Sequence, residues 1–112
     1  RVLGLCEQVP RNIATQRIAP QLIDSAGGTD SNYRAACRAR SNAEFIAKIG
    51  TVAEEADESA FWLELIMDGG LVTSERVPPL HQEAEELTAI FTASGRTAKA
   101  NNPKSTIRDP NC

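Results

Sequence analysis

Three arginines, Arg34, Arg38 and Arg40, crowd one short stretch of the chain, with Tyr33 beside the first. Arg34 and Arg38 are four residues apart, so a helix would place both on one face. Guanidinium groups pair with phosphate oxygens and an aromatic ring can stack on a base, so this set could contact nucleic acid. Three cations would neutralise only about three phosphates, too few for tight binding without a partner. Salt bridges within or between subunits are the favoured reading. Glu54, Glu55, Asp57 and Glu58 form the opposite cluster. Carboxylates at that density can hold a metal or move protons, and Glu54 and Glu58 form an i, i+4 pair. A di-iron site of the ferritin type would need Glu-x-x-His on facing helices. The one histidine, His81, is far away in sequence and is read as a solvated residue of the last helix. No metal, no cofactor and no catalytic residue is therefore expected.

The two charged clusters invite pairing, and helix geometry limits how. If the chain reverses near Arg40-Ser41, antiparallel packing sets Arg38 opposite Ala43. Glu54 then lies about 20 Å further along the axis, at about 1.5 Å per residue. Arg38 cannot reach Glu54 in its own chain, so the clusters are expected to meet across a subunit interface. Phe61 and Trp62 are neighbours that point about 100° apart on a helix. One can enter the core while the other stands at an edge, where exposed aromatics anchor interfaces. Cys6, Cys37 and Cys112 are odd in number and widely spaced, unlike a disulfide framework or a zinc site. They read as idle thiols in a reducing cytosol. Neither a Gly-rich phosphate loop nor a nucleophile motif occurs.

The elements that would carry these residues are helical. Apolar residues make up 41% and aromatics 4% of 112 residues, which suits an aliphatic helical core in one domain. A net charge of −3 gives no broad positive field for nucleic acid. No apolar run is long enough to span a bilayer, and Arg1 to Cys6 does not read as a signal peptide, so a cytoplasmic protein is expected.

Phe45, Ile49, Val52, Ala56, Ser59, Leu63 and Ile66 recur at spacings of four and three, one seam on a helix from Ser41 to about Asp68. Ser41 and Glu44 form a capping-box pattern, and Gly69-Gly70 provides the exit. A second helix is expected from about Pro79 to Lys99, with Leu80, Ala84, Leu87, Phe91 and Ser94 on its seam and fraying from Gly95. Arg1 to Gln8 reads as the end of a helix stopped by Val9-Pro10. Beyond it, Pro20 predicts a helix starting near Ala19, and Gly27-Gly28 a kink or break. From Ser31 to Arg40 the sequence is strongly helical. Residues 100–112 read as a disordered tail behind a bundle domain of residues 1–99.

Asn32-Tyr33-Arg34-Ala35-Ala36-Cys37-Arg38-Ala39-Arg40-Ser41, then Ala43-Glu44-Phe45-Ile46-Ala47-Lys48, Glu54-Glu55-Ala56-Asp57-Glu58-Ser59 and Phe61-Trp62-Leu63-Glu64-Leu65 resemble the bacterial four-helix-bundle family encoded by intervening sequences in 23S ribosomal RNA genes. The resemblance spans about residues 1 to 99. It implies an antiparallel up-and-down bundle, a homopentameric ring, and neither a known ligand nor a known activity. A related, basic branch serves diversity-generating retroelements, binding a reverse transcriptase and nucleic acid. The chain departs from the family where Arg-Ser-Gly-Thr-Ser-Val-Gly-Ala gives way to Asp24-Ser25-Ala26-Gly27-Gly28-Thr29-Asp30-Ser31, and in a first helix that looks short. The function expected is that of a non-enzymatic, self-assembling interaction protein. The alternative is an adaptor for a reverse transcriptase or another nucleic-acid enzyme.

Overall fold

The computed structural model describes residues 1–8, 12–70 and 75–101. The expected reversal after Gln8 at Val9-Pro10 and the tail beyond Asn101 lie outside these residues. Four helices follow one another: α1 (Val2–Gln8), α2 (Ile13–Cys37), α3 (Asn42–Asp68) and α4 (Val77–Ala100). The result is an up-and-down four-helix arrangement with a short first helix, a rod of 50 × 19 × 18 Å.

α3 begins where its cap predicts. Ser41 Oγ accepts a hydrogen bond from the Glu44 amide at 3.1 Å. The returning bond is shifted by one residue, since Glu44 Oε2 accepts from the Arg40 amide at 3.2 Å instead of the Ser41 amide. At the other end Gly69 stays right-handed and Gly70 takes the left-handed conformation, with φ +60°. Every residue of the α3 seam from Phe45 to Ile66 is buried. Both α2 and α4 lie along α3, and they meet each other only sparsely.

Contacts fix the directions. Ser25 of α2 faces Ser59 of α3, Oγ to Oγ at 2.9 Å, while Gly28 faces Glu55. Asn42 at the start of α3 donates from Nδ2 to the carbonyl of Ala98 near the end of α4, at 3.0 Å. Both pairs are antiparallel. Leu5, Leu22, Leu63 and Ile66 centre one apolar cluster, and Phe45, Ile49, Val52 and Phe91 centre a second further along the rod. α4 also runs through Gly95, which lies against Ile49, and shows no early end there.

Two expectations about α2 are overturned. The helix starts at Ile13, not near Ala19. Asn12 Oδ1 accepts from the Thr15 amide at 2.9 Å, and Thr15 Oγ1 accepts from the Asn12 amide at 3.1 Å. This reciprocal box uses Thr where Glu or Gln is usual, so its sequence signature is weak. Pro20 therefore lies inside the helix, with its ring exposed. An internal proline costs about 3 kcal/mol or more. Burial of Ile18 and Leu22 on either side, about 1.5–3 kcal/mol each, is of the size needed to offset it. Gly27-Gly28 also causes no break. A Cβ at Gly28 would lie 2.9 Å from Glu55 Cδ, so the missing side chain lets α3 approach closely. A Cβ at Gly27 would meet nothing within 4 Å.

The two glycines should thus respond differently to alanine. Gly27→Ala should raise the unfolding free energy by about 0.5–1 kcal/mol through helix propensity alone. Gly28→Ala should give less, or a loss, because Glu55 must move. Denaturant unfolding of both variants measures the difference; equal gains would remove the close approach inferred at Gly28.

Candidate functional site

The arginine cluster sits where α2 ends. Arg34 lies in its last turn, Arg38 is the cap residue, and Arg40 is in the turn leading to Ser41. Cations belong there, because the carbonyl end of a helix is the negative end of its dipole. All three are exposed. None forms an ion pair with a described residue. Tyr33 is half-buried and packs on Phe91 of α4, with ring centroids 5.4 Å apart. It ties α2 to α4, so it is not a free platform for a base.

The acids lie mid-way along α3. Glu54, Asp57 and Glu58 are exposed, while Glu55 leans on Gly28. No ion pair joins them to a described cation. Among the described residues no three His, Cys, Asp or Glu side chains are grouped to hold a metal. One turn on, Phe61 is 53% exposed while Trp62 packs against the first apolar cluster. The two rings meet edge to face at 4.9 Å, and Trp62 Nε1 donates to Glu58 at 3.4 Å. Exposed Leu65 extends the apolar patch by a turn. Acids and aromatics thus share one region of α3, and the arginines stand at the end of the rod.

His81 is not the solvated residue expected. Its side chain is 19% exposed and its two ring nitrogens face carboxylates, Nδ1 3.0 Å from Glu85 and Nε2 3.9 Å from Glu64 of α3. Position 81 lies one step from the buried seam residue Leu80, on the flank nearest α3, which accounts for its cover. The cysteines also differ from idle thiols. Cys37 is disulfide-bonded, and disulfides persist mainly in oxidising surroundings. The cysteines therefore lend no weight to a reducing cytosol. Cys6 is a free thiol whose pKa is raised by burial, which makes it a poor nucleophile. Cys112 lies outside the described residues. No described helix is long and apolar enough to cross a membrane.

One feature was not read from the sequence. Between α2 and α4, over α3, lies a groove of about 390 Å³. Its floor is Ala56, Ser59 and Leu63 of α3. Ile23, Ala26, Gly27 and Asp30 form the α2 wall, and Leu80, Glu83, Ala84 and Leu87 the α4 wall. α1 occupies one end only, where Arg1 Nη1 reaches Glu83 Oε2 at 2.6 Å and Leu5 is fully buried. No sequence motif marks the groove, because its lining is drawn from all four helices.

The fold has a counterpart among solved structures. The crystal structure of a protein with unknown function from the S23 ribosomal protein family, from Bacteroides thetaiotaomicron VPI-5482, superposes with a TM-score of 0.74 and 23% identity, covering 86% of this chain and 89% of that one. No protein-family model and no curated protein matches the chain. At this identity the likeness is one of fold: the chain shares its helical architecture with that protein.

Proposed function

We propose that this chain is a non-enzymatic interaction protein that works by self-association, and that it descends from the intervening-sequence bundles it resembles. The supporting observation is a pair of charged clusters with no ion pair between them or to any other described residue. Arg34, Arg38 and Arg40 stand exposed at one end, and Glu54, Glu55, Asp57 and Glu58 lie about 20 Å away along α3. A second copy displaced along the rod brings one against the other. Phe61 and Leu65 beside the acids supply the apolar contact that ionic pairing alone lacks. By the resemblance the assembly would be a ring of five copies. The adaptor reading rests on the same exposed arginines, whose guanidinium groups suit phosphate. Its weakness is the engagement of Tyr33 with Phe91.

Light scattering with mass determination should give a multiple of the 12.1 kDa chain. Arg38→Glu should lower that mass, and Arg38→Glu combined with Glu54→Arg should recover it in part. A monomer at every concentration would overturn self-association.

Phe61→Ala separates interface from core. It should reduce assembly while changing the stability of the dissociated chain by no more than about 0.5 kcal/mol. Leu63→Ala, fully in the core, should cost about 2–5 kcal/mol.

For the adaptor reading, structured RNA should be retarded in a gel at low salt and released as salt rises. No retardation at low salt removes that reading.

A further inference from the structure

We propose that the end of the rod where α2 stops, α3 starts and α4 stops is a peripheral docking face for a bilayer rich in anionic phospholipid, a role that goes beyond self-association and does not rest on it. The bond from Asn42 to the Ala98 carbonyl sets the start of α3 beside the end of α4. A short turn leads from α2 into α3. Residues 31–48 and 93–101 therefore form one pole. It carries six cations, Arg34, Arg38, Arg40, Lys48, Arg96 and Lys99, and one carboxylate, Glu44. The rest of the described chain carries three cations and thirteen carboxylates. A chain of net charge −3 thus gathers its positive charge at one end.

Neither helix dipoles nor ion pairs account for the set. Arg34, Arg38 and Lys99 suit the negative ends of α2 and α4. Arg40 precedes the positive start of α3 and Lys48 lies two turns beyond it, where a dipole gives a cation no benefit. Arg34, Arg38, Arg40, Arg96 and Lys99 are exposed. None of the six forms an ion pair with a described residue.

Shape and charge favour a flat polyanion. The rod is 19 × 18 Å across. A nucleic acid longer than that width would run past the pole beside the flanks, where the carboxylates stand and repel it. A bilayer meets the pole alone when the rod stands upright on it. Asp30 is then about 12 Å back from Arg38, and Glu54 about 20 Å back along α3. Both lie beyond the Debye length of about 8 Å at physiological ionic strength, so their repulsion is largely screened. Lipid headgroups also move sideways and can match cations at any spacing. Tyr33, engaged with Phe91, offers no platform for a base.

The contact is one of charge. No large exposed apolar side chain lies in residues 31–48 or 93–101, and no described helix is long and apolar enough to cross a membrane. Each Lys or Arg near an anionic surface contributes about fivefold in binding, so the six together support binding that salt reverses. Arg34, Arg38 and Arg40 are shared with the proposed copy-to-copy contact, whereas Lys48, Arg96 and Lys99 are not.

Flotation of the whole chain with vesicles tests the proposal. At low salt the chain should float with vesicles of equal parts phosphatidylglycerol and phosphatidylcholine, be released as salt rises, and stay behind with phosphatidylcholine alone. Arg96→Glu combined with Lys99→Glu should weaken binding by about tenfold or more, with the helical circular dichroism kept. Lys48→Glu, away from the helix ends, should weaken it several-fold and serves even if the double variant does not fold. Arg17→Glu, an exposed change at the far end of α2, should leave it unchanged. No binding at low salt, equal binding to phosphatidylcholine, undiminished binding in either pole variant, or an equal loss in Arg17→Glu would each overturn the proposal. So would retardation of structured RNA that the pole variants lose while vesicles stay unbound, which would give the pole to nucleic acid. The mass from light scattering should not change in the pole variants, so failure of the lipid contact is distinguishable from failure of self-association.

Discussion

The structure depends on one apolar seam. The row from Phe45 to Ile66 on α3 is covered on one side by α2 and on the other by α4. No helix of this composition would persist alone in water, so burial of that row makes the bundle. It also tolerates local faults. Pro20 removes a backbone donor and Gly27-Gly28 lowers helix propensity, yet α2 stays continuous because Ile18, Leu22 and Ser25 are held against α3. Polar groups at the contact are matched where they are buried. Ser25 Oγ donates to the Leu22 carbonyl at 3.2 Å and accepts from Ser59, whose single proton lies between Ser25 Oγ and the Glu55 carbonyl, 3.0 Å away. Asn42 is the exception. Nδ2 is bonded to Ala98, and Oδ1 is buried without a partner among the described residues. Its bond joins the start of α3 to the end of α4.

Periodicity reached most of this. α3 is legible because an unbroken 3.6-residue pattern, a Ser cap and a diglycine exit all agree, and α4 because its pattern follows a proline pair suited to a first turn. Leu80, Ala84 and Phe91 are buried as their spacing requires. α2 is less legible because Pro20 and Gly27-Gly28 each disfavour a helix locally, while the burial that sustains it depends on α3. Proline and glycine penalties are a few kcal/mol each, and tertiary burial outweighs them. The Asn12–Thr15 cap is chemically sound but uncommon in type, so it carried no signal. His81 was misjudged for a related reason, since its cover depends on which flank of α4 lies against α3.

The site was less legible than the fold. The reach argument for Arg38 and Glu54 agrees with a structure that leaves both clusters without an ion pair among the described residues. Tyr33, grouped with the arginines by adjacency, belongs to the core through Phe91. The groove could not be read from any motif. Its lining residues come from four different helices and meet only once the bundle is packed.

Native-state hydrogen exchange tests the central claim most directly, because it ranks segments by the free energy needed to open them. If burial of the α3 seam holds the bundle together, the amides from Phe45 to Ile66 exchange slowest, through global unfolding, and those of α1 exchange fastest. Exchange in α3 as rapid as in α1, with α2 and α4 still protected, would contradict the account.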